Sequence, residues 1–335
     1  MIGRPLHVPA LLLAGLALVG PPTAAGAATL DGALRTAARA GGVPHAQAAM
    51  VRDGAVVWAG ATRGTRATDR FVIASVTKMV VATLVLRLAE DGALGLEDPV
   101  SRWVSGIPNG DRITVRMLLA HRSGLREYFG DPAIARALRD ARHQWTRGEV
   151  IAAIRRGRPQ FAPDARFAYR NANYVLLGEI AERAAGTGVE ALLRRELAAP
   201  LGLGSLSFAV DAPAGGRLVG APLLADVVGP VWTDGGIATD ATDLARLTDA
   251  LLGGRVLAAP TLAAMTAPGD DGYGLGTVIG SRRIGHDGVY GGFTAYAFGD
   301  VPTATTLVVL CDRDAPGDPA WRIAGALWRA AAGER

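Results

Sequence analysis

Of the 35 Lys and Arg residues in the chain, only one, Lys78, is a lysine. The two types exchange freely on a solvated surface, but Arg keeps its proton throughout the physiological range, whereas a buried Lys can release one and serve as a base. A chain that otherwise uses Arg for every cation points to a base at that position; the plain alternative is one Lys surviving in an Arg- and Ala-rich composition. Ser75 stands three residues earlier, in Ser75-Val76-Thr77-Lys78, and the chain has only 7 Ser in 335 residues. On a helix this spacing puts both side chains on one face, so the amine can reach the hydroxyl. Ser75 also falls where the short apolar stretch Arg70 to Ala74 gives way to Val76 to Ala89, whose apolar residues recur at helical spacing. Unpaired N–H groups and the helix dipole favour developing negative charge there. The same place suits a serine that only caps the helix, and these two residues alone do not separate the readings.

Serine is a weak nucleophile and needs partners that move its proton and stabilise an oxyanion. Tyr169 and Asn171 stand two apart, just before the helical pattern NANYVLLGEIAE, where a phenol and an amide can project into one cleft. Taken singly, Asn171 reads as a helix cap and Tyr169 as a packed aromatic. His286-Asp287-Gly288 ends a strand-like run and precedes Gly291-Gly292; glycine there lets a substrate backbone come close. A lone strand His is more often structural. The five His lack metal-ligand spacing and the single Cys, Cys311, reads as a buried small residue, so no metal and no cofactor are expected.

The elements that must position these groups follow from periodicity. Ala46 to Trp58 reads as a hairpin about Asp53-Gly54. From about Leu96 to Leu201 the pattern is mostly helical, with helices over Thr114 to Ala120, Pro132 to Ala141, Arg147 to Ile154, Ala172 to Ala185 and Val189 to Leu197. Gly272 to Ile279, Arg283 to His286, Gly292 to Phe298 and Thr303 to Leu310 read as successive antiparallel strands, followed by a last amphipathic helix. Strands at both ends with helices between predict an α/β (α+β) fold: one antiparallel sheet built from both chain ends, flanked by helices, with a helical subdomain of about 96–201 inserted. Hydrophobic residues make up 50% and charged residues 20%, which excludes a disordered chain. The net charge of +4 is spread among interspersed Arg, Asp and Glu, so no nucleic-acid partner is expected. Met1 to Ala27 has the form of a signal peptide: Arg4, an apolar run too short to span a bilayer, and Ala25-Gly26-Ala27 as cleavage site. A secreted, monomeric catalytic domain over 28–335, without stable membrane association, is the expectation.

Ser75-x-x-Lys78, Tyr169-x-Asn171 and His286-x-Gly288 occur in the order, and at about the distances, of the three motifs of penicillin-recognising serine enzymes. With the stretches FVIASVTK, DRITVRMLLAHRSGL, FAYRNANYVLLG, VWTDGGIATDATDLARL and IGHDGVYGGFTAYAF, the chain resembles the class C β-lactamase and D-alanyl-D-alanine carboxypeptidase superfamily over about residues 30–330, most nearly its secreted carboxypeptidase branch. The resemblance implies a β-lactamase/transpeptidase-like fold, with Ser75 as acylated nucleophile and Lys78 and Tyr169 sharing its proton. It implies that Asn171 binds the substrate amide and orients Lys78, that His286 holds the Tyr169 hydroxyl or a substrate carboxylate, and that the N–H groups of Ser75 and Val289 form the oxyanion hole. Gly288 lies at the substrate edge, Trp232 is expected to wall the cleft, and His121 to be structural. Asp287 and Val289 replace the hydroxylated residues usual in that branch, and an Asp287 facing the site would repel a peptide carboxylate. The implied partner is a small-molecule or peptide substrate: a D-alanyl-D-alanine peptide end, with a β-lactam or small ester as the alternative within the same chemistry. A non-catalytic penicillin- or peptide-binding module is the alternative of another class.

Overall fold

The computed structural model describes residues 24–140, 143, 145–209, 217–219, 231–269 and 271–333. Asp53 and Gly54 both take positive φ, 50° and 81°. This is the two-residue turn whose twist matches that of its strands, and it joins β1 (Ala46–Arg52) to β2 (Ala55–Ala61). The other edge of β1 pairs antiparallel with β9 (Thr305–Cys311), so the two ends of the chain share one sheet. The remaining members are β6 (Val278–Ile279), β7 (Arg283–Tyr290) and β8 (Phe293–Asp300), in the order β2-β1-β9-β8-β7-β6. Three short strands, β3 (Phe71–Val72), β4 (Ser207–Phe208) and β5 (Ile237–Thr239), form a second sheet in the order β3-β5-β4.

Both faces of the large sheet are covered, and the pleat sorts its side chains accordingly. Tyr296, Phe298, Leu307 and Val309 face the first helix α1 (Ala24–Ala40) and the last helix, Pro319–Ala331. Ala295, Ala297, Val308 and Leu310 face α2 (Val76–Glu90) and the helical region. Two-sided burial explains why β9 reads as an unbroken apolar run. The helical region comprises α3 (Val100–Trp103), α4 (Val115–Leu119), α5 (Pro132–Ala137), α6 (Arg147–Arg156), α7 (Asn171–Ala185) and α8 (Val189–Leu193), with a π turn at Arg194–Ala198 leading into α9 (Ala199–Leu201). Next come α10 (Ala241–Leu252), α11 (Ala259–Met265) and, as the last helix, α12 (Pro319–Ala331).

One expectation lies largely outside the described residues, and two need correction. Residues 1–23 of the expected leader lie outside the described residues, and a cut after Ala27 would remove only the first turn of α1, leaving its buried Leu30, Leu34 and Ala38. Helix α5 ends at Ala137 rather than Ala141, which itself lies outside the described residues; the next residue, Leu138, is already solvent-exposed. Of Gly272 to Ile279, only Val278–Ile279 pairs with β7. Gly272 and Gly276 take positive φ, 69° and 87°, and bend the chain so that Tyr273 turns inward. No helix among the described residues is long and apolar enough to cross a membrane.

Helix α7 shows how tightly the segment before β5 is held. A Cβ placed on Gly178 would sit 2.4 Å from Thr233 Oγ1 and 2.8 Å from the Trp232 ring. Ala is ordinarily better than Gly inside a helix by about 1 kcal/mol. Gly178→Ala should instead destabilise the protein by about 1–3 kcal/mol, because overpacking outweighs propensity, and it should loosen the loop carrying Asp234. Urea unfolding checks this, and a stabilised variant would show that the loop yields freely.

Candidate active site

Strand β3 delivers the chain to Ala74, a non-glycine residue with φ 46°, and the turn there aims Ser75 into α2. Left-handed backbone at such a residue is uncommon and is held only where its surroundings enforce it. Ser75 has helical φ and ψ of −64° and −12°, and its side chain makes no cap hydrogen bond, so the hydroxyl is not spent on capping. The N–H groups of Val76, Thr77 and Lys78 donate to the carbonyls of Ile73, Ala74 and Ser75, while the Ser75 N–H has no acceptor among the described residues.

One turn on, Lys78 is fully buried. Its Nζ lies 3.0 Å from Ser75 Oγ, 2.8 Å from Asn171 Oδ1 and 2.6 Å from the Asp234 carbonyl oxygen. Two of these neighbours are carbonyl oxygens, which only accept. A neutral amine donating to both has its lone pair left for Ser75 Oγ; an ammonium donates to all three. The Tyr169 ring lies 4.9 Å from Nζ and packs against the His121 ring at 4.2 Å.

Asn171 is the first residue of α7 and not its cap. Its N and Nδ2 both donate to Glu127 Oε2, at 2.8 and 3.2 Å, which turns Oδ1 toward Lys78. Glu127 was not legible as a site residue in the sequence, nor were Asp234 and Tyr128. Asp234 folds its carboxylate back onto the Trp232 N–H (2.9 Å) and the Tyr128 hydroxyl (2.7 Å), and so holds its own carbonyl on Lys78. Burial raises both carboxyl groups above the usual range, with Lys78 opposing the shift. Only the blocks ending at Leu125 and containing Asp234 hinted at this network.

The other expected residues are partly redistributed. His286 is buried and faces the site, but its ring does not hold Tyr169: Nδ1 lies 2.5 Å from the Asp287 carbonyl oxygen and Nε2 3.1 Å from the Tyr273 hydroxyl. Asp287 faces the other side of the pleat, where it accepts a 2.9 Å hydrogen bond from Trp321 Nε1 of α12. It therefore does not oppose a substrate carboxylate. Trp232 does not wall the cleft: it packs on Gly178, two turns along α7 from Asn171 and so about 10 Å away along the axis, under the guanidinium of Arg147. His121 takes a structural place. Its Nδ1 accepts from the Arg170 N–H (3.2 Å) and from Asn173 Nδ2 (3.1 Å), fixing the loop that carries Tyr169.

Gly288 sets the approach of β7 to Ser75. A Cβ there would come within 2.6 Å of the Ile73 carbonyl oxygen and 2.7 Å of the Ser75 nitrogen. Tyr290 and Phe293 close the two-residue turn at Gly291-Gly292, so Tyr290, Gly288 and His286 exchange backbone hydrogen bonds with β8. The alternate residues Val289 and Asp287 direct their N–H groups to the opposite edge, which β6 covers only at Ile284 and Gly285. The Val289 side chain, 47% exposed, lies off the site.

His286 makes the site pH-sensitive. Burial, and after it the nearby Lys78, lower its pKa to about 4. Between about pH 6.5 and 4 the unfolded chain binds a proton that folded His286 refuses, so stability falls as pH falls through this window. Unfolding at pH 5 and pH 7 should show a loss from this group of up to about 2 kcal/mol, and His286→Gln should remove that part. The remaining slope includes His121, which burial holds well below the usual range. An identical slope in the variant would mean that His286 titrates as an exposed histidine does.

The model of the Beta-lactamase family matches residues 30–331. The chain is 26% identical over 235 residues to the putative penicillin-binding protein PbpX of Bacillus subtilis, covering 67% of this chain and 57% of that protein. It is 31% identical over 209 residues to esterase EstB of Burkholderia gladioli, covering 56% and 53%. A third relative, penicillin-binding protein 4* of Bacillus subtilis, is 32% identical over 135 residues, 40% of this chain and 29% of its own length. The chain thus spans roughly a third to just over half of the relatives it matches. Among solved structures, a D-stereospecific amidohydrolase from Streptomyces sp. superposes with a TM-score of 0.74 at 26% identity, over 91% of this chain and 98% of that one. The octameric penicillin-binding protein homologue from Pyrococcus abyssi gives 0.78 at 24% identity, over 92% and 78%, and shares the fold. With its motifs placed around one buried lysine and the family model covering nearly all of its length, the chain belongs to the Beta-lactamase family of serine hydrolases.

Proposed function

We propose that the protein hydrolyses small amides and esters through an acyl-Ser75 intermediate. The observation that carries this is the setting of Lys78, whose Nζ lies 3.0 Å from Ser75 Oγ while Asn171 Oδ1 and the Asp234 carbonyl accept hydrogen bonds from it. As Oγ attacks the substrate carbonyl, Lys78 takes the hydroxyl proton, and the Tyr169 phenol supplies one to the leaving group as the bond to it breaks. The N–H groups of Ser75 and Val289 receive the oxyanion; a donor of this kind is worth about 10²- to 10³-fold in rate. Water then attacks the acyl-enzyme by the reverse route and releases the acid.

The leaving group we assign is uncharged. His286, buried and neutral, has both ring nitrogens engaged, and the Val289 side chain points off the site, so neither offers a partner to a terminal carboxylate. The similarity to a D-stereospecific amidohydrolase and to an esterase supports this choice. A D-alanyl-D-alanine carboxypeptidase is the second reading, favoured by Asp287 turning away and by relatives named for that activity. Monomeric state and secretion after cleavage near Ala27 belong to the same proposal, and N-terminal sequencing of protein recovered from culture medium tests the latter.

Incubation with a penicillin, followed by intact mass, should show a covalent adduct that Ser75→Ala abolishes without loss of fold. Lys78→Arg should acylate at least about 10²-fold more slowly, because Arg keeps the charge but accepts no proton. Labelling of either variant at the wild-type rate would sink the mechanism. A D-amino acid amide and a D-alanyl-D-alanine peptide, compared by kcat/KM, separate the substrate readings: a faster amide supports the uncharged leaving group and a faster peptide the carboxypeptidase.

A further inference from the structure

At the end of the large sheet opposite the Tyr290–Phe293 turn lies a second concavity, of about 340 Å³. Among the described residues, four arginines, Arg52, Arg282, Arg283 and Arg329, line it together with one acid, Asp300. That acid is already engaged. Asp300 is 2% exposed, and its Oδ1 and Oδ2 are held by Nε and Nη2 of Arg282, while Thr303 Oγ1 donates to Oδ2 at 2.6 Å.

Asp300 must also serve Arg283, an ion-pair partner at 3.7 Å, so one carboxylate is shared between two guanidinium groups. Arg283 Nε lies 3.7 Å from Asp300 Oδ1, beyond hydrogen-bond reach, and is buried without an acceptor. Its guanidinium is held 4.3 Å over the Trp328 ring, which fixes its plane by stacking. Arg52 spends Nε on Thr305 Oγ1 at 3.0 Å. No carboxylate among the described residues pairs with Arg52 or Arg329. Four guanidinium groups gathered around one carboxylate among the described residues raise the energy of the folded protein, and a bound anion relieves it. Planar guanidinium forks match the oxygens of phosphate, and several together match a group carrying more than one negative charge.

We propose that this cavity binds a phosphate-bearing anion, at a site separate from Ser75. Its position on the outer face, between the start of β7 and the C-terminal turn of α12, keeps it clear of the acyl-transfer residues.

Calorimetric titration of the full chain with inorganic pyrophosphate tests this. One-to-one binding with a dissociation constant below about 1 mM is expected, weakening when ionic strength rises from about 0.05 to about 0.2 M. Arg329→Gln, an exposed position, combined with Arg52→Gln should weaken binding at least tenfold. Arg126→Gln, on another part of the surface, should leave it unchanged, and undiminished penicillin labelling of Ser75 shows that each variant is folded. A parallel titration with an oligomeric glycerol phosphodiester identifies the source: tighter binding per phosphate assigns the site to a polymer, and preference for pyrophosphate assigns it to soluble phosphate esters. Absence of pyrophosphate binding at about 10 mM, or binding indifferent to the Arg52 and Arg329 substitutions, would overturn the proposal.

Discussion

A fully buried amine needs hydrogen-bond partners to offset its desolvation, and in this molecule three parts of the chain meet at Lys78 Nζ. Ser75 comes from its own helix, Asn171 from the start of α7, and the Asp234 carbonyl from the loop before β5. These elements have to meet at one point for the lysine to be buried at all. The contacts that bring them together are correspondingly close: the Ile237 N–H donates to Thr77 Oγ1 at 3.2 Å, and the Ile73 N–H to the Ile237 carbonyl at 2.9 Å. Packing of α7 against Thr233 leaves the same loop no slack. Stability and the placement of Ser75 share one set of contacts.

Around this hub the charge is arranged in layers. Glu127 and Asp234 lie behind Lys78 and fix its acceptors without touching its nitrogen through their carboxylates. His121, Tyr169, Tyr174 and Tyr273 form an aromatic wall beside it, with ring centroids from His121 of 4.2 to 5.2 Å. His286 closes the far side as a neutral ring. Among the described residues, Lys78 is the basic side chain whose nitrogen lies on Ser75 Oγ, so it is the group placed to exchange a proton with that hydroxyl.

The third motif illustrates how far a strand pattern reaches. Strict alternation places His286 and Gly288 on the site face and Asp287 on the other, and the Trp321 contact on α12 settles which face is which. Consecutive letters in a motif are therefore not neighbours in the site. Trp232 makes the complementary point: one residue from Thr233 and two from Asp234, it packs on the helical region while the backbone of Asp234 serves the lysine.

What could be read from the sequence was what depends on short separations along the chain. The Ser75–Lys78 pairing follows from one helical turn, the Asp53-Gly54 hairpin from a two-residue turn, and the covered sheet from apolar runs near both ends. Asn171 was legible because it opens a periodic helix. Glu127, Asp234 and Tyr273 were not: they act on Asn171, Lys78 and His286 from 44, 156 and 13 residues away, and one of them acts through its main-chain carbonyl, which every residue type possesses. In the sequence the side chain of Ser75 is compatible with a cap or a nucleophile; its helical φ and ψ and the lack of a cap hydrogen bond speak against the cap, and its hydroxyl lies on Lys78. Tertiary structure decided those placements because hydrogen-bond partners are chosen by distance and direction in space, which residue identity and spacing constrain only over about a turn or a strand.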